Sequence, residues 1–298
     1  MLNDTMMTQM SGKGGFIAAL DQSGGSTPKA LAQYGVPETA YSGDAEMYGE
    51  IHKMRVRIMT APAFSGDKVI GAILFEGTMD GEAEGQAVPT YLWEKRGVVP
   101  FVKVDKGLEA EKDGVQLMKP MPELDTLLAR AAKLGVFGTK MRSVITRASQ
   151  TGIAAIVRQQ FEVAAQIAGH DLMPIIEPEV SIKAPDKAAA EEILRAEIEK
   201  QLDALPGDRK VMLKLTIPTK ADTYEGLVRH PKVLRVVALS GGYPRDEACE
   251  QLSHNHGMIA SFSRALIDDL RHDLSDDEFD AVLARSIDQI YRASTQKV

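Results

Sequence analysis

The sequence predicts an α/β fold closed as a single (β/α)8 barrel, and three observations carry that prediction. Short apolar runs of strand length recur eight times, most of them followed by a stretch with helical periodicity. The runs are largely continuous rather than alternating, the pattern of parallel strands covered on both faces by helices. Polar residues that interrupt them fall two apart, and so share one face of a strand. At 298 residues the chain suits one barrel over 1–298, with a short leading segment and a helix and tail at the end. An open doubly wound sheet is the alternative that such alternation also allows. No linker rich in Gly, Pro or Ser divides the chain, and no short repeat occurs.

The runs in order are FIAALD (16–21), VIGAILFE (69–76), PFVKVD (100–105), VFGTKM (136–141), MPIIEPE (173–179), KVMLKLTI (210–217), VLRVVALS (233–240) and GMIASFS (257–263). After the first, TPKALAQYG reads as a helix with Thr27 as N-cap, Pro28 at the first helical position and Gly35 as stop. After the fifth, PDKAAAEEILRAEIEKQLDAL is apolar at Ile193, Ile198, Leu202 and Leu205.

Alternation along each strand predicts which side chains face the barrel axis. Met212, Lys214 and Thr216 share a face, with Leu213 and Leu215 on the other. Ile175, Glu177 and Glu179 share one, as do Gly138, Lys140 and Arg142. Lys103 and Asp105 point together, leaving Val102 and Val104 for the helical layer. Charges should therefore collect inside the carboxyl end: Asp21, Lys103, Asp105, Lys140, Arg142, Glu177, Glu179 and Lys214, with Ser240 and Arg264 beside them. Structural ion pairing is the plain reading of any one of them, and catalysis the better reading of the group.

Composition excludes several classes. Net charge is −7, and basic residues alternate with acidic ones, so no nucleic-acid or membrane footprint is present. No apolar run approaches a membrane span, and MLNDTMMTQMSGKG lacks the parts of an export leader. A soluble cytoplasmic protein is expected, in keeping with the single Cys249.

Lys214 is the most informative residue. A primary amine buried in an apolar strand is disfavoured as a cation, which makes it a nucleophile toward carbonyl carbon. A free lysine is neutral only about four times in ten thousand at pH 7, so a drop of about three pKa units raises the reactive fraction about a thousandfold. Burial and a second cation, Lys140 on strand four, are expected to lower it, with Glu177 and Glu179 on the strand between as proton carriers. Schiff-base chemistry follows as the expectation. The turns DQSGGS (21–26) and LSGGYP (239–244) offer backbone N–H groups to an anion, and Arg264 can add a clamp.

His254 and His256 lack a third ligand on any strand and are expected to be solvated. Cys249, in the helix-like DEACEQL, is expected to be buried and inert. No Walker A, G-x-S-x-G or G-x-G-x-x-G sequence occurs.

Seven segments in order, AALDQSGGS, ILFE, VKVDKG, GTKMR, IIEPE, LSGG and FSRAL, resemble the class I fructose-bisphosphate aldolases of the bacterial branch, over most of the chain. That resemblance implies a TIM barrel that cleaves fructose 1,6-bisphosphate through a lysine imine. It implies Lys214 as the imine-forming lysine, Glu177 as the carboxylate of dehydration and proton transfer, and Asp21, Lys140 and Glu179 as supporting catalytic residues. It places Ser240, Gly241, Gly242, Ser261 and Arg264 at the phosphate of the ketone half, and Ser23, Ser26, Lys103 and Arg142 at the other phosphate and the aldehyde-side hydroxyls. Neither a cofactor nor a metal is implied; the partner is a phosphorylated sugar, and a homo-oligomer is compatible.

The chain also departs from that pattern. Leu215, not proline, follows Lys214, with Pro218 further on, and the chain ends YRASTQKV, in which Tyr291 is not equated with the carboxyl-terminal tyrosine of the family's animal members. Other imine-forming barrel lyases would share Lys214 but not two phosphate turns, and a phosphosugar-binding regulator would use Lys214 and Glu177 only as an ion pair.

Overall fold

In the computed structural model, which describes residues 3–298, eight parallel strands stand side by side in chain order. They are β1 (Phe16–Leu20), β2 (Val69–Leu74), β3 (Val99–Lys103), β4 (Gly138–Ile145), β5 (Met173–Val180), β6 (Val211–Thr216), β7 (Val233–Leu239) and β8 (Ile259–Ala260). The ring is joined just past β8, where the Ala19 N–H donates to the Phe262 carbonyl at 3.2 Å. An order without reversal is that of a barrel and rules out the doubly wound alternative.

A leading helix, α1 (Asp4–Gly12), precedes β1, and outside the barrel pack α2 (Ser26–Tyr34), α3 (Gly43–Thr60), α4 (Val88–Arg96), α5 (Leu124–Lys133), α6 (Gln150–Gly169), α7 (Lys187–Ala204), α8 (Glu225–Arg229), α9 (Arg245–Ser253) and α10 (Asp276–Thr295). The apolar stripes of α2 to α10 and the outward faces of the strands, including Val102, Val104, Leu213 and Leu215, form the larger core. A second core fills the barrel: Ile17, Ile70, Val99, Phe101, Ile175, Met212 and Val237. The predicted inward and outward faces are those observed.

That inner core continues into α1, whose residues Met6 and Met10, four apart and so on one face, stopper the amino end of the barrel. Gln9 secures the helix by donating to the carbonyls of Ile70 and Gly97 at 2.9 and 2.8 Å. In the sequence this segment showed only the lack of a leader; the Met6–Met10 spacing is the signal for the plug.

Three boundaries differ from the sequence reading. The first helix begins at Ser26 with Gly25 at its N-cap, not Thr27, which lies buried in the first turn. The turn from Ser23 runs straight into the helix, since Ser26 and Thr27 donate backwards to the carbonyls of Ser23 and Gly24. Pro28 is tolerated because first-turn N–H groups have no helical acceptor. Strand four starts at Gly138 and runs on to Ile145, in register with β5 over eight pairs. The last run pairs only at Ile259 and Ala260.

The β5–β6 ladder holds just two registered pairs, Ile175–Met212 and Ile176–Leu213. Met173 N–H donates toward β4, to Phe137 O, so by alternation residues 174, 176 and 178 turn theirs toward β6. Two of those three are prolines, which have no N–H to give. β5 and β6 are thus unladdered beyond Leu213, where Glu177 and Lys214 project.

Candidate active site

The four innermost charges form an alternating chain. Lys140 Nζ lies 2.6 Å from Asp21 Oδ2 and 2.9 Å from Glu177 Oε2; Lys214 Nζ lies 3.1 Å from Glu177 Oε1. Asp21 stands one residue past β1, Lys140 on β4, Glu177 on β5 and Lys214 on β6, so four strand ends converge. Lys214 is 4% exposed and Glu177 3%. Glu177 Oε2 is ion-paired but accepts no aligned hydrogen bond, which leaves a lone pair for a proton.

Two cations and two anions compensate one another, as buried charges must. Burial alone would raise the Asp21 carboxyl, but the ammonium groups of Lys140, Lys214 and Lys103 hold it well below the usual carboxylate range. Burial works to lower the Lys140 ammonium, and the charges of Asp21, Glu177 and Asp105 override it and raise it far above an ordinary lysine. Lys140 is therefore a fixed cation, and Glu177 bridges it to Lys214 where the sequence suggested two facing ammonium groups.

Two further pairs flank this centre. Lys103 Nζ lies 2.8 Å from Asp105 Oδ1 and donates to the Asp105 carbonyl at 2.8 Å. Arg142 pairs through Nε with Glu179 Oε2 at 2.5 Å, so Glu179 is turned to Arg142 rather than to Lys214. Behind β6, Lys187 pairs with Glu191 and donates to Ile217 O at 2.9 Å, bracing the turn that follows Lys214.

The two anion turns form at the mouth after β7 and β1, the strands on either side of β8. Gly241 and Gly242 take φ values of 62° and 121°, open to glycine, and a Cβ on Gly242 would stand 3.3 Å from Arg264 Nη2. Ser240, Gly241, Gly242 and Arg264 thus meet. Ser261, inward-facing on the β8 side, is buried with a hydroxyl that has no hydrogen-bond partner among the described residues. At the other turn Ser26 Oγ closes on Ser23, donating to its carbonyl at 2.8 Å and accepting its N–H at 3.0 Å.

Sequence reasoning missed three supporting residues. Arg55 is fully buried on α3; it donates to Thr78 Oγ1 at 2.8 Å and to the Gln22 carbonyl. Gln22 in turn donates to Ser263 Oγ at 2.6 Å, tying the loop after β1 to the loop after β8. Gln160 on α6 accepts from the Glu177 N–H at 2.9 Å. A signal existed for two of them: Arg55 and Gln160 are polar residues on stripes otherwise filled by Met47, Ile51, Met54, Ile58 and by Ile153, Ile156, Val157, Phe161.

The remaining candidates lie elsewhere. His254 and His256 are exposed, His256 paired with Asp222, and Cys249 is buried with its thiol pushed up to about 11 by desolvation. Among the described residues no group of three or more metal-ligating side chains converges, and no helix is long and apolar enough to cross a membrane. Tyr291 stands by Gly14, before β1, at the amino end of the barrel. The terminal residues are held there too, Val298 N–H donating to Ser253 O at 3.0 Å and Lys297 Nζ to Leu252 O at 3.0 Å.

Fold and site together define a (β/α)8 barrel with a lysine–carboxylate centre at its carboxyl end. The family model for fructose-bisphosphate aldolase class-I matches residues 2–218, and a Synechocystis protein named fructose-bisphosphate aldolase class 1 is 55% identical over 292 residues, 98% of this chain and 97% of its own. The chain belongs to the class I fructose-bisphosphate aldolase family. In fold it matches a fructose-bisphosphate aldolase from Plasmodium falciparum, solved with TRAP and an inhibitor, at TM-score 0.77 and 20% identity over 99% of this chain and 94% of that one. A Corynebacterium glutamicum protein matches at TM-score 0.58 and 16% identity over 98% and 92%.

Proposed function

We propose that this chain cleaves fructose 1,6-bisphosphate reversibly to dihydroxyacetone phosphate and glyceraldehyde 3-phosphate, through an imine on Lys214. The observation that supports this most is the 3.1 Å separation of Lys214 Nζ from Glu177 Oε1 inside a charge-compensated, buried cluster. It pairs a nucleophile with a proton carrier, as imine formation requires.

Lys214 passes a proton to Glu177 and attacks the ketone carbon. Glu177 returns that proton to the carbinolamine hydroxyl, which leaves as water, and a protonated imine remains. A carboxylate, Glu177 with Asp21 nearby, then takes the proton of the hydroxyl on carbon four. The bond between carbons three and four breaks, its electrons enter the imine, and glyceraldehyde 3-phosphate departs. The enamine is protonated and hydrolysed to dihydroxyacetone phosphate. Lys140, held as a cation, stabilises negative charge developing on the substrate oxygen.

The phosphate on the ketone half rests on Ser240, Gly241, Gly242 and Arg264, where the Ser261 hydroxyl is ready to donate. Ser23, Ser26, Lys103 and Arg142 receive the other phosphate and the aldehyde-side hydroxyls, with Glu179 orienting Arg142.

Borohydride reduction in the presence of dihydroxyacetone phosphate tests the reading. A covalent adduct mapped to Lys214, absent in Lys214→Arg, is the expected result, since Arg keeps the charge but forms no imine. No adduct on the native chain overturns it.

A further inference from the structure

Gln160 lies midway along α6 on a buried stripe otherwise apolar where it faces the barrel wall: Ile153, Ile156, Val157, Phe161, Ala164. It is itself fully buried. A primary amide in such a layer is unfavourable unless both its ends are bonded. Both are. Nε2 donates to Ser143 Oγ on β4 at 2.9 Å, and Oε1 accepts the backbone N–H of Glu177 on β5 at 2.9 Å. One helix side chain therefore pins two adjacent strands at the level of the reacting cluster.

The second bond ends on the backbone of the residue whose carboxylate bridges Lys140 and Lys214. That backbone has little support from its other side. The ladder to β6 stops at Ile176–Leu213, and Pro178 has no N–H. Yet Glu177 must hold two contacts at once, 2.9 Å to one ammonium and 3.1 Å to the other, and a small tilt of the strand would break one of them.

We infer that Gln160 is a positioning residue for the reaction at Lys214: by fixing the Glu177 peptide from behind the sheet, it keeps the carboxylate between the two lysines. The inference rests on the aldolase reading above. Gln160 touches neither phosphate turn, so its loss acts on turnover and spares substrate binding. A residue that merely filled the helix–sheet layer would show no such split.

The test is steady-state kinetics with fructose 1,6-bisphosphate on Gln160→Met, which keeps length and apolar fit but has no amide. The expected result is a fall in kcat of about 10–100-fold with KM within about threefold of the native value. Gln160→Glu, which keeps an acceptor for the Glu177 N–H and can take the Ser143 hydroxyl as its donor, should recover part of the loss. Ile156→Val, in the same layer, serves as the packing control and should leave kcat unchanged at similar thermal stability. A folded Gln160→Met with kcat within about twofold of native overturns the inference. Should Gln160→Met not fold, Ser143→Ala decides: a several-fold fall in kcat at constant KM supports it, and unchanged kcat overturns it. A native chain that neither cleaves the sugar nor is trapped by borohydride removes the aldolase reading itself, an outcome distinct from active chains indifferent to Gln160.

Discussion

Arg142 stands directly across from Glu177 in the ladder between β4 and β5, yet its guanidinium pairs with Glu179, two residues further on. Glu177 is thereby left to Lys140 and Lys214. Glu179→Gln should release Arg142 toward Glu177, draw that carboxylate away from Lys214 and lower kcat about tenfold. Adding Arg142→Met should return part of the lost kcat at saturating substrate, while KM rises. The double-mutant cycle in kcat measures the coupling, and strictly additive losses would refute the rerouting.

Asp21→Asn should destabilise the native state at neutral pH by about 3 kcal/mol, because Lys140 keeps only one of its two anions. The folded Asp21 carboxyl lies below its ordinary value of 3.8, so its contribution is complete above that pH and is lost as pH falls toward the lower folded value. The gap between native and variant stability should therefore be full at pH 7 and shrink in solutions more acid than 3.8. Lys140, raised above the ordinary 10.5, holds its share throughout the range below that value. Urea midpoints at neutral and acid pH check both statements.

Gly241→Ala places a Cβ 2.6 Å from Ile182 Cγ2, at a φ of 62°. Side chain and backbone both object, and the expected loss is about 1–3 kcal/mol, with KM for the bisphosphate raised several-fold as the turn distorts. Ile182→Ala in addition relieves the contact but not the backbone, so KM should recover only in part. Kinetics and thermal melts of the single and double variants separate the two causes.

Cys249 should resist thiol reagents in the folded protein. Burial holds the thiol at about 11, so the thiolate is scarce at pH 8. Titration with a chromogenic disulfide should release one equivalent only after denaturant is added; a rapid equivalent in native buffer would contradict the buried placement.

Lys214 was legible because a lysine in an apolar run has few uses, and alternation then set Lys140 and Glu177 on the same side as it, with Asp21 at the mouth where the first run ends. Which anion would meet which cation was not legible. That depends on how far each strand is shifted against its neighbour, and the shift places Glu177, not Glu179, between the lysines. The last strand misled because GMIASFS is apolar over most of its length, while pairing ends where Ser261 N–H turns to Ala238 O and Phe262 O serves β1. Thr27 misled because cap preference is local, and the turn at Ser23 overrides it. Gln160 and Arg55 are polar residues on otherwise apolar helix stripes, and which backbone groups they reach depends on how each helix docks on the barrel.

α9 begins at the mouth after β7 and runs back to Ser253, where the final residue is bonded. A support, dye or fusion partner joined through Val298 would thus hang from the underside of the molecule, leaving the doorway used by sugars unobstructed.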